Sequence, residues 1–123
     1  MIKTLLLVGL GGAAGSILRY LTGYAADKWI QAGFPVGTLI VNILGSFLIG
    51  LTISLLDRYT VTSPELKYLL VVGFLGGFTT FSAFTYENVN LLQTGNIGTA
   101  LLYMVGSVVA GLAAVWVGFA LTR

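Results

Sequence analysis

Short polar gaps divide this chain into four long apolar runs, and this division constrains the fold more than any other feature. The runs cover residues 2–26, 34–56, 66–88 and 97–121. About 20 apolar residues are enough for a helix to cross the hydrocarbon core of a bilayer. Of the 123 residues, six are basic and four acidic, and all except Arg19 and Glu87 lie at the chain ends or in the gaps. We therefore expect an all-α membrane protein whose four transmembrane helices form a single domain over residues 1–123.

The same composition excludes several classes of function. The chain contains no cysteine and no histidine, so thiol chemistry, disulfides and the usual metal sites are not expected. Its net charge of +2 does not suggest a nucleic-acid partner. The gaps between the runs are too short to hold a soluble domain. We therefore expect a protein embedded in the lipid bilayer that is not an enzyme.

The third run contains the stretch that is least suited to a plain membrane helix. Between residues 73 and 87 it combines three glycines, two adjacent threonines and phenylalanines at every third position. Glycine costs about 1 kcal/mol relative to alanine in a helix interior. Lipid offers no water to a loosened backbone, so a break is tolerated only where protein buries it or where it lines a cavity. We expect a break in the third helix that serves ion binding or permeation.

The basic residues specify the orientation only weakly. With four spans, four basic residues share the side of the two termini and one or two lie on the opposite side. The first group is Lys3, Arg58, Lys67 and Arg123, and the second is Lys28 with Arg19 near it. The positive-inside rule favours the termini inside, but the margin is small enough to leave two topologies open.

Small residues recur at every fourth position in two of the runs. In the second run these are Thr38, Asn42, Ser46, Gly50 and Ser54, and in the fourth Gly106, Ala110, Ala114 and Gly118. Small residues let membrane helices approach closely, so packing is the expected role of the fourth-run ridge and of the Gly11/Gly15 pair. The second-run stripe is also polar. Its asparagine either hydrogen-bonds a neighbouring helix or faces a water-filled path.

Neutral hydrogen-bond donors accumulate within the spans. Tyr103 and Ser107 are four residues apart in the fourth run and therefore share a face. Each alone is more often a helix contact than a pore residue. The other members of this set are Asn42, Ser46, Thr79, Thr80 and Ser82. Donors without an accompanying ring of carboxylates suit an anion better than a cation.

Two charged residues inside the runs have more than one interpretation. Arg19 at the bilayer centre would cost about 2.5–3.5 kcal/mol on insertion scales. Its side chain either snorkels to the interface near Asp27 or lies at the mouth of a water-filled vestibule, where it would attract anions. Glu87 closes the third run, and we expect it to pair with a hydroxyl or with the backbone of another helix. Its role in transport stays open.

Three motifs resemble the small fluoride channels of the Fluc, or CrcB, family. They are GGAAGSILRY at 11–20, GTLIVNILGSF at 37–47 and GGFTTFSAF at 76–84. The third motif is highly specific, and the resemblance extends over essentially the whole chain with four spans in the right order. It implies an antiparallel, dual-topology homodimer with two fluoride pathways. It also implies a multi-pass protein of the bacterial plasma (inner) membrane.

The resemblance implies roles for individual residues. Asn42 would be a pore donor, and Phe81 and Phe84 would present their ring edges, which carry partial positive charge, to fluoride. Packing is the default role of a membrane phenylalanine. Four hydroxyl-bearing residues would complete the pathway, namely Thr80, Ser82, Tyr103 and Ser107.

The resemblance also implies a cation site and one departure from the family pattern. The backbone carbonyls of Gly76 and Thr79 would hold a structural sodium ion at the dimer centre, with four oxygens from two chains. Arg19 would belong to the vestibule. Gly111 stands where some relatives continue the hydroxyl track of the fourth helix with serine, so the outer end of that track differs in this chain.

The implied function is that of a fluoride-selective channel that passively exports fluoride and lowers its toxicity. One alternative is a small multidrug transporter, but that class needs a carboxylate in its first span, where this chain has Arg19 and no acid. The other alternative is a membrane assembly factor that transports nothing. It would explain the glycine ridges but not the combination of Asn42 with the Gly-Gly-Phe-Thr-Thr-Phe run.

Overall fold

A computed structural model of the chain describes residues 1–30, 33–60 and 63–122. Within these ranges the regular structure is helical, and the elements follow one another as α1 (Ile2–Trp29), α2 (Val36–Arg58), α3 (Pro64–Lys67), a π-helical segment (Tyr68–Leu75), α4 (Gly76–Phe78), α5 (Ser82–Gln93) and α6 (Ile97–Leu121). Helices α1, α2 and α6 and the combined third span, Pro64–Gln93, are each long and apolar enough to cross a membrane. The predicted all-α architecture with four spans is confirmed. Arg123, which entered the charge comparison, lies outside the described residues.

The third span is broken near its middle. Helix α4 ends at Phe78, and Thr79 adopts an extended backbone with φ −88° and ψ 157°. Helix α5 begins at Ser82. Ahead of the break, Tyr68–Leu75 is wound as a π-helix, a rare form that is frequent at functional sites. The predicted break in the third helix is therefore confirmed, and it falls at the adjacent threonines.

The second half of the third span extends beyond its predicted end at residue 88. Helix α5 continues to Gln93 and stops at Gly95, whose φ is 82°. Gly95 N donates to Leu92 O (3.2 Å), and Asn96 N donates to Leu91 O (2.8 Å). These two bonds form a Schellman cap, which needs a left-handed residue such as glycine. Hydropathy marks where side chains become polar, whereas the backbone cap decides where the helix stops.

Helix α1 packs against the first half of the third span at backbone distance. A Cβ atom on Gly77 would lie 2.6 Å from Gly12 O, and a Cβ atom on Gly15 would overlap the carbonyl group of Phe74. Gly11 and Gly15 are both buried. The predicted packing role of this pair is therefore confirmed, and its partner is the other glycine-rich segment of the chain.

Helix α2 lies along α6, but the ridge of the fourth run packs at one end only. A Cβ atom on Gly118 would lie 2.5 Å from Phe47 O. Around Gly106, at the other end of the ridge, no atom of the described residues lies within 4 Å of such a Cβ. Within the described chain the packing prediction is therefore wrong at Gly106, which lines an opening between α2 and α6.

Contacts between chain segments agree with four alternating spans. Lys3 Nζ lies 3.3 Å from Glu65 Oε1, which joins the start of α1 to the start of the third span. Arg58 Nη1 donates to Thr122 O at 3.0 Å, which joins the ends of α2 and α6. The termini and the second connection therefore lie on one side of the bundle, as the alternation of spans predicts.

The close approach at Gly15 generates a stability prediction. Replacing Gly15 with alanine forces a methyl group against backbone that cannot rotate away, and such overpacking costs about 1–3 kcal/mol. We expect Gly15→Ala to lower the midpoint of thermal unfolding in detergent. The matched control is Gly9→Ala on the same helix, where a Cβ would meet no described atom within 4 Å. Equal midpoints for both variants would contradict the packing described here.

Candidate functional site

Asn42 hydrogen-bonds to the backbone at the break in the third span. Its Nδ2 donates to Thr80 O at 2.9 Å, and Thr80 N donates to its Oδ1 at 2.8 Å. A backbone N–H only donates, so this second bond fixes which way the amide points. Asn42 therefore pairs with a neighbouring helix, as one of the two interpretations predicted. Its amide carries a second N–H, which lies beside the cavity described below.

Arg19 reaches from α1 to the same break. Its Nε donates to Gly77 O at 3.0 Å. The guanidinium therefore lies at the break rather than snorkelling to the end of the helix. It also lines an open cavity of about 400 Å³, which we call the vestibule cavity. Asp27, Thr38 and Thr80 line the same cavity.

The break leaves two backbone carbonyls without their usual donors. In a continuous helix the N–H of residue i bonds to the carbonyl of residue i−4, so Gly76 O would accept from Thr80 and Thr79 O from Ala83. Thr80 N donates instead to Asn42 Oδ1 at 2.8 Å, and Ala83 N donates to Thr80 Oγ1 at 3.2 Å. Gly76 and Thr79 both line the break cavity that is described next, and among the described residues the two N–H groups that would bond to their carbonyls in a helix bond elsewhere. The donor set predicted for sodium therefore has the right chemistry.

A second open cavity of about 400 Å³ lies between α2, the break and α6, and we call it the break cavity. Seven of the ten sequence-predicted site residues line it, namely Asn42, Gly76, Thr79, Thr80, Phe81, Phe84 and Ser107. No charged side chain of the described residues belongs to this lining. Thr80 also lines the vestibule cavity, so the two cavities adjoin at the break. Together they run from Arg19 to Ser107.

The phenylalanines of the third span divide into two groups. Phe78 is 4% exposed and stacks on Phe74 with ring centroids 6.2 Å apart, so it packs the bundle. Phe81 and Phe84 line the break cavity, with ring centroids 6.1 Å apart. Phe84 meets the ring of Tyr103 edge to face at 5.0 Å. Phe81 is 77% exposed, so it projects away from its own chain.

Tyr103 and Ser82 do not line the break cavity. The hydroxyl of Tyr103 donates to Glu87 Oε1 at 3.1 Å, and Thr38 Oγ1 donates to Glu87 Oε2 at 2.8 Å. The predicted pairing of Glu87 with hydroxyls is therefore confirmed. The oxygen of Ser82 lies 3.4 Å from Thr80 Oγ1. Sequence reasoning did not connect Thr38 with Glu87, although Thr38 precedes Asn42 by one helical turn on the same stripe.

Ser107 differs from Tyr103 although the two residues share a helix face. The Oγ atom of Ser107 is buried and has no hydrogen-bond partner among the described residues. An unpaired buried hydroxyl is costly, and Ser107 lies in the wall between the break cavity and a second opening beside α2 and α6. The fourth helix therefore has one hydroxyl that is hydrogen-bonded within the chain and one that has no partner among the described residues.

Comparison with known proteins agrees with this arrangement. Residues 6–119 match the family model described as CrcB-like protein, Camphor Resistance (CrcB). The fluoride-specific ion channel FluC of Flavobacterium psychrophilum is 46% identical over 121 residues, which cover 98% of each chain. FluC proteins of Thermus thermophilus and Agrobacterium fabrum are 53% and 48% identical, over 94% and 95% of this chain and 92% and 94% of theirs. On this evidence of sequence and architecture, the chain belongs to the CrcB family.

Proposed function

We propose that this protein is a fluoride-selective ion channel that passively exports fluoride from the cytoplasm and so lowers its toxicity. The observation that carries the proposal is the break cavity, which lies at mid-span and has polar donors but no charged side chain among the described residues that line it. Relatives named fluoride-specific ion channel match nearly the whole chain at 46–53% identity. The protein is a channel and not an enzyme.

The chemistry of the anion fits this lining. Fluoride is small and tightly hydrated, so a pore must replace its water with closely spaced donors, as other selectivity filters do for their ions. A hydrogen bond to a charged group contributes about 1.5–3 kcal/mol. Several neutral donors in sequence hold the anion without trapping it. Hydrogen fluoride enters cells as a weak acid and dissociates inside, and an inside-negative potential then drives the anion out through a passive channel.

The site residues take different parts in this proposal. Arg19 attracts the anion into the vestibule cavity, next to Thr80 and Ser82. Asn42 offers its second amide N–H at the junction of the two cavities. Phe81 and Phe84 turn ring edges toward the anion, and Ser107 donates its free hydroxyl. Tyr103 contributes to the pathway through Glu87, to which its hydroxyl donates.

The working unit in this proposal is an antiparallel homodimer in the bacterial plasma (inner) membrane. The break cavity is open, and the free carbonyls of Gly76 and Thr79 would face lipid in a single chain. Unsatisfied backbone at membrane depth costs several kcal/mol for each group, so another protein surface must cover it. A second copy of the chain meets this need and gives two pathways. The small difference in basic residues between the two sides, four against one or two, leaves both orientations open to the two copies.

A structural sodium ion would complete the dimer centre. Hard cations prefer oxygen ligands, and the carbonyls of Gly76 and Thr79 supply two oxygens from each chain. The ion would bind across the symmetry axis and hold the two breaks together. It would neutralise four carbonyl dipoles that otherwise repel one another, and it would not be transported.

The selectivity of the proposed channel is directly measurable. We expect purified protein in liposomes to release fluoride rapidly, while chloride leaves at the rate of protein-free liposomes. The physical reason is that closely spaced donors fit the small fluoride ion, whereas the larger chloride ion does not fit between them. Ion-selective electrodes follow both anions in the same preparation. Comparable fluoride and chloride fluxes would overturn the proposed function.

Substitution of Phe81 or Phe84 can distinguish a role in transport from a role in packing. Phe81→Ile or Phe84→Ile keeps an apolar side chain but removes the positive ring edge. We expect fluoride efflux to fall about tenfold, which corresponds to about 1.4 kcal/mol of lost stabilisation. The control is Phe74→Ile in the same span, outside the cavity lining. Efflux is normalised to dimer recovered by size exclusion, and unchanged rates in all three variants would show that the rings only pack the bundle.

The sodium proposal predicts a specific ion effect on the assembly. A ligand that binds only the folded dimer raises its stability by mass action. We expect the thermal midpoint of the dimer to rise with sodium concentration, and to rise less with equal concentrations of choline, which is too large for the site. The thermal midpoint is measured on fluoride-free protein in detergent, so fluoride transport does not affect the result. Identical midpoints in sodium and choline would count against the site.

A further inference from the structure

Most hydroxyls near the break donate their protons within the chain. Thr79 Oγ1 donates to Leu75 O at 2.9 Å, and the hydroxyl of Tyr103 donates to Glu87. Serine in a helix commonly bonds to the carbonyl four residues earlier, as Ser16 does to Gly12 O at 2.7 Å. Such hydroxyls have no proton left for an anion.

Two hydroxyls in the lining of the break cavity behave differently. Ser107 Oγ is buried without a partner among the described residues. Ser46 also lines the cavity. Its side chain likewise makes no hydrogen bond among the described residues. The two residues lie on different helices, Ser107 on α6 and Ser46 on α2. Two serines without a described hydrogen-bond partner therefore belong to two different walls of the cavity.

The position of Ser46 is tied to that of Gly111. Gly111 lies one helical turn beyond Ser107 on α6, so it points in the same general direction. A Cβ atom on Gly111 would lie 3.6 Å from Ser46 Oγ, which is ordinary contact distance. The hydroxyl of Ser46 therefore occupies the neighbourhood into which a side chain at position 111 would project. Glycine at 111 leaves that space to α2.

We propose that Ser46 is a fluoride-binding residue, whose hydroxyl continues the line of free donors beyond Ser107 where α6 has Gly111. The inference rests on the proposed fluoride function. The line of donors crosses from α6 to α2 at this point. A hydroxyl that faces a cavity without a charged lining and has no protein partner satisfies its donor by binding an anion or water. A hydrogen bond to an anion is about twice as strong as one between neutral groups, so Ser46 favours the anion over the water that it displaces.

The first test removes only the oxygen atom of Ser46. We expect Ser46→Ala to lower fluoride efflux from liposomes about tenfold, the change expected when one charge-assisted hydrogen bond is lost. The matched control is Ser16→Ala, whose hydroxyl is used within α1, and its efflux should equal that of the wild type. Rates are normalised to dimer recovered by size exclusion.

The second test moves the hydroxyl to the other helix. In the double variant Ser46→Ala with Gly111→Ser, a hydroxyl returns to the same space from α6, and efflux should recover most of the loss. If Ser46→Ala does not assemble, Ser46→Cys keeps the volume with a weak donor and should reduce efflux. A packing role predicts no rescue by position 111.

The outcomes separate this inference from the proposed function. A wild-type protein that releases no fluoride would overturn the function itself. A conducting wild type with unchanged efflux in Ser46→Ala, or in Ser46→Cys where alanine fails to assemble, would overturn the role of Ser46 alone. Reduced efflux without rescue by Gly111→Ser would also overturn it, since the loss would then come from packing.

Discussion

The pairing of Asn42 with the backbone of Thr80 is the interaction on which the rest of the site depends. Lipid cannot hydrogen-bond a broken helix, so every freed N–H and carbonyl needs a partner from the protein. Asn42 satisfies one donor and one acceptor of Thr80, and Arg19 satisfies the carbonyl of Gly77. Without these side chains, the freed backbone groups would be unsatisfied, and a continuous helix would have the lower free energy. The break therefore exists because α1 and α2 carry polar groups at its depth.

The same pairing creates the groups that are left over. Because Thr80 N donates to Asn42 and Ala83 N donates to Thr80 Oγ1, the carbonyls of Gly76 and Thr79 lose their helical partners. The hydrogen bonds that stabilise the break are therefore the same ones that leave these two carbonyls without their helical partners. A single chain in lipid would leave them unsatisfied, which is why we infer both a cation and a second copy of the chain at this place.

Sequence predicts the elements of this protein better than the directions of its side chains. The four spans and the break follow from hydropathy and from the glycines and threonines of the third run. Whether Arg19 snorkels or turns inward depends on how α1 crosses the third span, and in the structure Arg19 Nε donates to Gly77 O of that span. The spacing of Tyr103 and Ser107 predicts a shared face, yet one hydroxyl is bound to Glu87 and the other has no described partner. That difference depends on Glu87, which belongs to the third span. The sequence pattern of the fourth run alone therefore cannot predict it.

The distribution of charge along the cavities explains how a site can attract an anion and still release it. Arg19 lines the vestibule cavity together with Asp27, and in the proposed channel its positive charge would attract the anion there. The break cavity beyond it has no charged residue in its described lining. The carboxylate of Glu87 is held by Thr38 and Tyr103 and does not belong to that lining. In the proposed pathway, an anion that passes Thr80 would leave the neighbourhood of Arg19 for neutral donors, which would have to replace its water and still let it leave.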